Sequence, residues 1–383
     1  MGFVSGANLQ NELAFLNLLI GFFVIYYETL KYIHKKQSAA PWRSSIYKGK
    51  KKVFFSILTP CYNSALSISA AVGTLLSQDF DDWELILVND GSKDNTLELI
   101  SLLAQQDPRI KVIDQQNSGV SVSRNRAIAE ASGEWLVWLD HDDAFMPGAL
   151  RELQQLILSF PESECFVFPY YGKENDQEYE CIDRVFREFG NRIFSGTEAF
   201  DLLYSQKKYR GQHWQPWRFV YRKGTAPRFT PGVIHEDVDV MPFHVAGLHS
   251  VCIAARPYYR YTLDAPTAVT RSFSPKRVAD ICNVTQGLYQ KMSQISAGES
   301  ALKLSPRMLN GFKAALAYNL FGYCQACDAF AEPERTQALQ VFENHKEWLL
   351  AIDKPRLQAW IKRCLLRILG VKNTVRILSL IKH

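Results

Sequence analysis

The sequence predicts an α/β protein built on a largely parallel β-sheet with helices on both faces. From residue 53 onward, short apolar runs typical of buried strands alternate with segments of helical spacing. Repeated strand–helix–strand units imply right-handed crossovers and therefore parallel strands. The chain has 383 residues, of which 47% are hydrophobic and 22% charged. Such a chain can bury a large core, and its composition excludes wholesale disorder, a disulfide-stapled module and a polytopic membrane bundle.

Four strands and three helices are predicted in the first part of the body. The strands are predicted at 53–58, 84–89, 110–114 and 134–140, and the helices at 66–78, 96–106 and 121–131. Ligands of open α/β sheets bind beyond the carboxyl ends of the strands. Polar residues follow every one of these strands, at 59–63, 90–92, 115–119 and 140–143. These strand ends are therefore the candidate ligand-binding region.

The periodicity weakens after residue 160. Strand-like runs occur at 166–171 and 251–261, with an aromatic-rich loop at 213–223 and an acidic segment at 233–244 between them. From about residue 275 the spacing is helical, and helices are predicted at 306–330 and 332–351. These two helices carry no chemical signature, so we interpret them as a packing subdomain.

The fourth predicted strand ends in a cluster of acids, Asp140, Asp142 and Asp143, with His141 among them. Carboxylates this close repel one another, and burying them without a counter-charge is costly. A hard divalent cation such as Mg²⁺ or Mn²⁺ would compensate them and keep coordination positions for substrate phosphates. The alternative is a solvated acidic turn that caps the helix predicted near Pro147.

Asp90, Gly91 and Ser92 follow the second predicted strand. An aspartate in this position can accept hydrogen bonds from a ribose or a base, and Gly91 lets the backbone approach a ligand closely. The alternative is a turn with a serine cap. No GxGxxG or GxxxxGK[ST] motif follows any strand, so dinucleotide-dependent oxidoreductases and P-loop proteins lose their main support.

Four ordered motifs together carry a family resemblance. SILTPCYN (56–63), ELILVNDGSKDNT (84–96), NSGVSVSRNRAIAEASGEWLVWLDHDD (117–143) and HED (235–237) resemble, in order and spacing, the family 2 glycosyltransferases of the GT-A fold. The chain looks most like bacterial members that build capsular polysaccharide, lipopolysaccharide or related cell-envelope glycans. The resemblance implies a Rossmann-like, mostly parallel sheet flanked by helices, here with a helical C-terminal extension and terminal membrane-associating helices.

The resemblance also implies a nucleotide-sugar site. Thr59, Pro60 and Tyr62 would border the base, Asp90 would bind the uracil or ribose side, and Arg124 of the RN motif would reach the base or the phosphates. The full implied set is Thr59, Pro60, Tyr62, Asn63, Asp90, Gly91, Ser92, Asn117, Gly119, Arg124, Asp140 and Arg271. Arg271 is either a mobile clamp over the pyrophosphate or a surface arginine.

Metal and catalytic roles follow from the same resemblance. Asp140 and Asp142 match the metal-binding DxD, with Asp142 as the direct ligand of Mn²⁺ or Mg²⁺. Asp237 matches the family's ED position and is the candidate general base that takes the acceptor hydroxyl proton. Glu236 would orient the loop or bind the acceptor. In-line attack on an α-linked donor then gives the inverted product. Without the resemblance, the acidic segment is equally well interpreted as a strand or helix end with exposed acids.

Several further side chains have two possible interpretations. His141 in the middle of the DxD either crowds the sugar or points away. His244 and His249 are either a further metal ligand or, as we favour, structural histidines. The aromatic side chains Trp214, Trp217 and Tyr221 either stack on acceptor sugars or pack inside the protein. The eight cysteines form no disulfide framework or zinc-site spacing, so we expect buried free thiols.

The net charge of +5 conceals an uneven distribution. Residues 1–52 hold eight Lys or Arg against two Asp or Glu, residues 354–383 hold eight against none, and the body holds 28 against 37. This pattern disfavours a nucleic-acid partner and suits attachment of both ends to an anionic membrane surface.

The N-terminal segment has an uncharged run of fifteen residues, Leu13 to Tyr27. As a helix it reaches about 22 Å of the roughly 30 Å hydrocarbon core. It therefore spans the membrane with flanking residues, lies in the interface, or packs on the protein. It does not have the pattern of a secretory signal peptide. Basic residues follow it, so the positive-inside rule places the body at the cytoplasmic face of the bacterial inner membrane.

The C-terminal segment from Arg356 is predicted to form two basic helices divided at Gly370. In the first helix the apolar face contains Leu357, Trp360, Ile361, Cys364, Leu365 and Ile368. This face either lies on a membrane or packs on the protein.

Four regions are predicted along the chain. An N-terminal membrane-associating segment (1–52) precedes a GT-A catalytic domain (53–265), which has a nucleotide-binding half (53–145) and an acceptor half (146–265). A helical subdomain (266–353) and the basic helices (354–383) follow. The expected activity is inverting transfer from a nucleotide sugar, UDP-linked, to a lipid-linked or cell-envelope glycan. The alternatives are transfer to a polyprenyl phosphate and a non-catalytic nucleotide-sugar-binding scaffold. The oligomeric state is left open.

Overall fold

The computed structural model describes residues 53–175, 177–209, 211, 213–264, 274–351 and 357–381. The strands are β1 (Phe55–Cys61), β2 (Trp83–Asp90), β3 (Ile110–Gln115), β4 (Trp135–Trp138), β5 (Ala144–Phe145), β6 (Cys165–Val167), β7 (Tyr170–Glu174), β8 (Gln177–Cys181), β9 (Arg192–Phe194), β10 (Phe219–Arg222), β11 (Val251–Ile253) and β12 (Tyr259–Thr262). The helices are α1 (Ile68–Leu76), α2 (Thr96–Gln106), α3 (Val120–Glu130), α4 (Ala149–Ser159), α5 (Arg184–Phe189), α6 (Gly196–Phe200), α7 (Glu236–Gly247), α8 (Pro275–Ala297), α9 (Pro306–Ala326), α10 (Glu334–Asn344), α11 (Lys346–Leu349) and α12 (Leu357–Ile381).

The strands of the described residues form two sheets. The main sheet has eight strands in the order β3-β2-β1-β4-β10-β6-β11-β9. Strands β1 to β4 are parallel, with Thr59 opposite Leu87 and Asp90 opposite Gln115, whereas β10 runs antiparallel to β4. The parallel part aligns the carboxyl ends of its strands at one edge of the sheet. The second sheet has the order β5-β12-β7-β8 and begins directly after the acidic cluster at 140–143.

The predicted α/β fold class is confirmed, and the predicted strands and helices of the first part fall within a few residues of the observed ones. Two predicted strand-like runs are each divided between the two sheets. The run at 166–171 becomes β6 and β7, separated at Pro169, and the run at 251–261 becomes β11 and β12, separated at Pro257. The physical reason is that proline has no N–H to donate to a sheet.

The C-terminal helix α12 is divided at Gly370, as predicted, because Gly370 has φ 74° and ψ 179°. It packs against α10 and α11. Its buried side chains include Leu366, Val371 and Val375, whereas Ile368 is 78% exposed. Of the predicted apolar face, Cys364 and Leu365 are partly buried and Ile368 is exposed, and the body covers the helix at Leu366.

The cysteines are all free, as expected; Cys181 and Cys364 are partly exposed, and the buried ones are Cys61, Cys165, Cys252, Cys282, Cys324 and Cys327. Among the residues that the structure describes, no helix has the length and apolar character needed to cross a membrane. The predicted helix at 13–27 and the basic segment up to residue 52 lie outside the described residues, as does Arg271.

Candidate active site

Asp90, the last residue of β2, organises the loop that follows β3. It is buried, and its carboxylate accepts hydrogen bonds from the backbone N–H groups of Ser118 and Gly119, both at 2.8 Å. The Gln115 amide donates a third bond at 2.8 Å. Asn117 Nδ2 donates to the Asp90 carbonyl at 2.9 Å. Three of the predicted nucleotide-sugar residues, Asp90, Asn117 and Gly119, thus form one unit, and Gln115, the first residue of the predicted polar stretch at 115–119, completes it.

Gly91 is required by a close backbone approach. Its φ is +66°, and a Cβ at this position would lie 2.7 Å from the backbone N of Asn117. Only glycine avoids both the strained dihedral and the clash. The β2 turn and the 115–119 loop therefore pack directly on each other at the strand ends.

The β1 turn is hydrogen-bonded to the β2 turn. The Asn63 backbone N–H donates to Ser92 Oγ at 3.0 Å, and the Lys93 N–H donates to Asn63 Oδ1 at 2.8 Å. Tyr62 beside them is 43% exposed, whereas Thr59 is fully buried within β1. Of this group, Tyr62 therefore presents the surface on which a base can stack.

Asp140 and Asp142 lie beyond the end of β4. Asp142 is partly exposed, and among the described residues none donates a hydrogen bond to it or forms an ion pair with it. The pKa of the Asp140 carboxyl is raised, because its burial outweighs the attraction of Arg124 and Asp142 adds repulsion. Two partly exposed carboxylates suit a divalent cation whose remaining coordination positions are filled by phosphate oxygens.

The described residues contain no group of three or more metal-ligating side chains. His141 is directed toward α1, where its Nδ1 lies 2.9 Å from Ser67 Oγ. His244 packs edge-on against Tyr221, with ring centroids 5.6 Å apart, and His249 is exposed beside Glu164, 3.3 Å away. Among the described residues, Asp140 and Asp142 are the side chains beyond β4 that could hold a metal ion.

Asp143, the third acid of the cluster, binds the second sheet rather than the solvent. Tyr259 Oη donates to Asp143 Oδ2 at 2.9 Å, and the Thr262 N–H donates to Asp143 Oδ1 at 2.8 Å. The same tyrosine oxygen accepts from the Asp140 N–H at 2.9 Å. Burial raises the pKa of Asp143 well above its usual range. The DxD loop and the second sheet are thus joined through one buried carboxylate.

Glu236 and Asp237 form the first turn of α7. They follow His235, whose φ of 72° turns the chain sharply into the helix. Burial, reinforced by repulsion from Glu236, raises the pKa of Asp237 to about 7. Asp237 Oδ1 accepts a hydrogen bond from the Val238 N–H at 2.8 Å. A carboxylate with this pKa is half-protonated near neutral pH, which suits a general base.

Arg124 joins the two acidic motifs. Its guanidinium is ion-paired with Glu236, and its Nη2 lies 3.8 Å from Asp140 Oδ1. The group is 6% exposed and lies over the rings of Trp138 and Phe229. Burial alone would lower the pKa of Arg124. The nearby carboxylates raise it by more than burial lowers it, so the pKa lies above its usual value and the guanidinium remains a cation.

Asn125 binds the segment that leads into α7. Its amide oxygen accepts from the Phe229 N–H at 2.9 Å, and its amide nitrogen donates to the Phe229 carbonyl at 2.8 Å. This role of Asn125 was not predicted from the sequence. The RN motif therefore holds the HED segment at two points, through Arg124 at Glu236 and through Asn125 at Phe229.

The helical subdomain contacts the same segment from the other side. Tyr323 of α9 lies beside His235, with its hydroxyl 3.3 Å from Nδ1. Lys291 of α8 is ion-paired with Asp239 at 2.9 Å, and Thr230 Oγ1 donates to the other oxygen of Asp239 at 2.6 Å. These helices thus contact the turn at residues 235–239 in addition to packing on the protein.

The aromatic loop does not present a sugar-binding platform. Trp214, Trp217 and Tyr221 are 4%, 3% and 0% exposed, respectively. Trp217 is stacked between Tyr259 and Tyr261, with ring centroids 4.8 and 5.1 Å away. The packing alternative is therefore the one that the structure favours.

The fold is of the GT-A type. Residues 56–221 match the model of the family described as Glycosyl transferase family 2. Among solved structures, S. aureus TarS 1-349 in complex with UDP-GlcNAc has a similar fold, with a TM-score of 0.57 and 16% identity over 84% of this chain and 89% of that one.

Three curated relatives are similar over part of their length. The E. coli glycosyltransferase YibD is 27% identical over 48% of this chain and 54% of its own. EpsJ of Bacillus subtilis is 31% identical over 44% of this chain and 47% of its own length. The Campylobacter jejuni GalNAc(5)-diNAcBac-PP-undecaprenol beta-1,3-glucosyltransferase is 30% identical over 37% of this chain and 50% of its own length. The chain thus spans about half the length of these relatives.

Proposed function

We propose that this protein is an inverting glycosyltransferase that moves a sugar from a nucleotide sugar, UDP-linked, to a hydroxyl of a lipid-linked or cell-envelope glycan. The observation that carries the proposal is the buried Arg124, which pairs with Glu236 of the HED motif and lies 3.8 Å from Asp140 of the DxD motif. One cation thus joins a site suited to a diphosphate and a site suited to a base.

The donor end of the proposal rests on the strand ends of β1, β2 and β4. Tyr62 is exposed beside the β1 and β2 turns, and Asp90 orders the loop at 115–119. Asp140 and Asp142 would hold a divalent ion, Mn²⁺ or Mg²⁺, which would neutralise charge developing on the leaving diphosphate. Arg124 adds a fixed positive charge beside these aspartates.

The acceptor end rests on Asp237. The acceptor oxygen forms a bond to the anomeric carbon, the bond from that carbon to the diphosphate oxygen breaks, and the hydroxyl proton passes to the Asp237 carboxylate. Its pKa of about 7 keeps a substantial deprotonated fraction at neutral pH. Glu236 is engaged by Arg124, so it acts by positioning the turn. Attack from the side opposite the leaving group inverts the configuration at the anomeric carbon.

The acceptor class is proposed from the relatives. One relative is named for a glucosyl transfer to an undecaprenyl diphosphate-linked glycan, and another for teichuronic acid biosynthesis. The basic ends suit an enzyme that meets such an acceptor at an anionic membrane surface. We therefore place the protein at the cytoplasmic face of the bacterial inner membrane, attached peripherally or by a single N-terminal anchor.

The test incubates the purified full chain with a panel of nucleotide sugars and Mn²⁺, Mg²⁺ or chelator, and measures donor hydrolysis and transfer. We expect metal-dependent turnover of a UDP-sugar, and little turnover by Asp237→Asn. A polyprenyl phosphate accepted in place of a glycan would identify the smaller acceptor. Donor binding without turnover in any arm would instead identify a nucleotide-sugar-binding scaffold and contradict the proposal.

A further inference from the structure

The first turn of α7, which carries Asp237, is held by the helical subdomain at two points. Tyr323 of α9 lies beside His235, and Lys291 of α8 is ion-paired with Asp239. These two contacts flank Asp237, one on each side of it in the chain. We propose that Tyr323 and Lys291 are positioning residues, which fix the orientation of the Asp237 carboxylate by holding its neighbours. The inference rests on the function proposed above, in which Asp237 is the base.

Asp239 is anchored by side chains from two separate segments of the chain. It is 8% exposed, and each of its carboxylate oxygens has a donor. Lys291 Nζ donates to Oδ1 at 2.9 Å, and Thr230 Oγ1 donates to Oδ2 at 2.6 Å. A hydrogen bond between charged groups is stronger than one between neutral groups, so the Lys291 bond ties α8 firmly to α7. The Lys291 side chain is 46% exposed, so it can be replaced without opening the core.

His235 is anchored in a backbone conformation that few residues other than glycine adopt. Its φ is 72°, and the residue is 7% exposed. Its ring packs edge-on against Tyr323, with centroids 5.2 Å apart, and the Tyr323 hydroxyl lies 3.3 Å from Nδ1. A left-handed conformation of this kind persists where the surrounding structure enforces it. Tyr323 is thus one of the contacts that hold the sharp entry into α7.

Asp237 lies among charged and titratable groups of several elements. Burial raises its pKa most, Glu236 of the same helix raises it further, and Arg124 of α3 lowers it. Burial also raises the pKa of Tyr204 and of Tyr323, and the Asp237 carboxylate adds to both increases. The two hydroxyls therefore stay protonated near neutral pH, where Asp237 titrates. The effect on Tyr323 also places α9 within electrostatic range of the base.

The first experiment removes the charge of Lys291 and keeps the length of the side chain. We expect Lys291→Met to lower kcat roughly 10- to 100-fold, because a displacement of about 1 Å is enough for such a loss. The donor KM should stay close to the wild-type value, since Lys291 bonds Asp239, which lies outside the Asp90 unit. Lys291→Arg should restore most of kcat, because a guanidinium donates to the same carboxylate. Lys303→Met is the matched control, because Lys303 is exposed between α8 and α9 and its Nζ contacts the Ser300 carbonyl.

The second experiment removes the Tyr323 hydroxyl. We expect Tyr323→Phe to loosen the entry into α7 and admit water to Asp237, whose pKa would fall from about 7 toward the usual value of an aspartate. The pH at which kcat is half-maximal should therefore fall. Tyr289→Phe is the control, because the Tyr289 hydroxyl has no hydrogen-bond partner among the described residues. Its pH profile should match that of the wild type.

Hydrogen exchange of the full chain follows the same turn without a donor. We expect Lys291→Met to speed exchange of the α7 amides, while those of α3 exchange at the wild-type rate. If the wild type turns over no nucleotide sugar, the proposed function is refuted, and hydrogen exchange alone decides whether the subdomain holds the turn. The inference would be overturned by wild-type exchange in α7, by equal kcat in Lys291→Met and Lys303→Met, or by a loss that Lys291→Arg does not restore. An unchanged pH profile in Tyr323→Phe would remove Tyr323 from it.

Discussion

The Arg124 guanidinium is ion-paired with Glu236, 112 residues away in the chain, and both side chains are largely buried. The pair ties α3, which packs on β1 and β2, to the first turn of α7. Asp140 lies on the other side of the guanidinium, 3.8 Å from Nη2. The donor end and the acceptor end of the proposed reaction are therefore coupled through one cation.

The first prediction concerns this pair. Arg124→Ala leaves Glu236 and Asp140 buried without their counter-charge, so we expect the free energy of unfolding to fall by about 3–5 kcal/mol. Arg126→Ala is the control, because Arg126 forms an exposed pair with Glu130 on the same helix. Its effect should stay within about 1 kcal/mol. Chemical denaturation measures both, and equal losses would show that Arg124 is not the structural link.

The second prediction concerns the pH dependence of Asp237. Its pKa in the folded protein is about 7, so the base is deprotonated above that pH and kcat should rise through pH 7 and then level off. Asp237→Asn should lower kcat by about 10²- to 10⁴-fold. A kcat that is constant from acidic to alkaline pH would contradict the assignment of the base.

The same carboxyl should also affect stability. Its pKa is raised on folding, so its contribution to stability is full below the unfolded pKa, near 3.8, and is lost as the pH rises through about 7. Asp237→Asn should therefore become more stable relative to the wild type at pH 8 than at pH 4. Urea denaturation at the two pH values measures the difference, and an equal difference at both would exclude burial as the cause of the shift.

The third prediction concerns Asn125. Asn125→Asp removes the donor to the Phe229 carbonyl and places a charge beside it, so we expect a loss of about 1–3 kcal/mol in stability. The HED segment would also be less well positioned. Because Asn125 contacts Phe229 and not the Asp90 unit, kcat should fall while the donor KM stays close to the wild-type value. A change in donor KM alone would argue against a positioning role for Asn125.

The fourth prediction concerns the link between the DxD loop and the second sheet. Tyr259→Phe removes the hydroxyl that donates to Asp143 and accepts from the Asp140 N–H, so we expect stability to fall by about 1–3 kcal/mol. We also expect the Mn²⁺ concentration needed for half-maximal turnover to rise. Tyr258→Phe is the control, because Tyr258 is buried next to it in sequence but makes no such hydrogen bonds. Equal metal requirements in the two variants would contradict this role of Tyr259.

The fifth prediction concerns membrane attachment. Arg367, Ile368 and Lys372 are exposed on α12, on a surface that does not pack on the body. Each cation near an anionic surface contributes about 1 kcal/mol, so Arg367→Glu/Lys372→Glu should weaken binding to phosphatidylserine vesicles at least 10-fold. Sedimentation with vesicles measures this, and the same loss on neutral vesicles would exclude an electrostatic cause. Arg126→Glu, on α3, is the control for surface charge.

The strands and the polar motifs that follow them were predictable because their signals are local. Short apolar runs specify buried strands, and the polar residues after them reach the edge of a parallel sheet without knowledge of tertiary contacts. For this reason Asp90, Asp140 and Asp142 could be placed at strand ends from the sequence. The division of two predicted strands at Pro169 and Pro257 was missed, because each apolar run continues across the proline.

The sequence by itself determined the α/β architecture, the positions of the acidic motifs and the basic character of both ends. Only the tertiary structure decided what their neighbours do: Asn125 holds Phe229, Asp143 binds the second sheet, and α12 buries Leu366 instead of Ile368. The physical reason is that Asn125 and Asp143 depend on partners 104 and 116 residues away. Hydrophobic periodicity also carries no information about which other element covers a helix face.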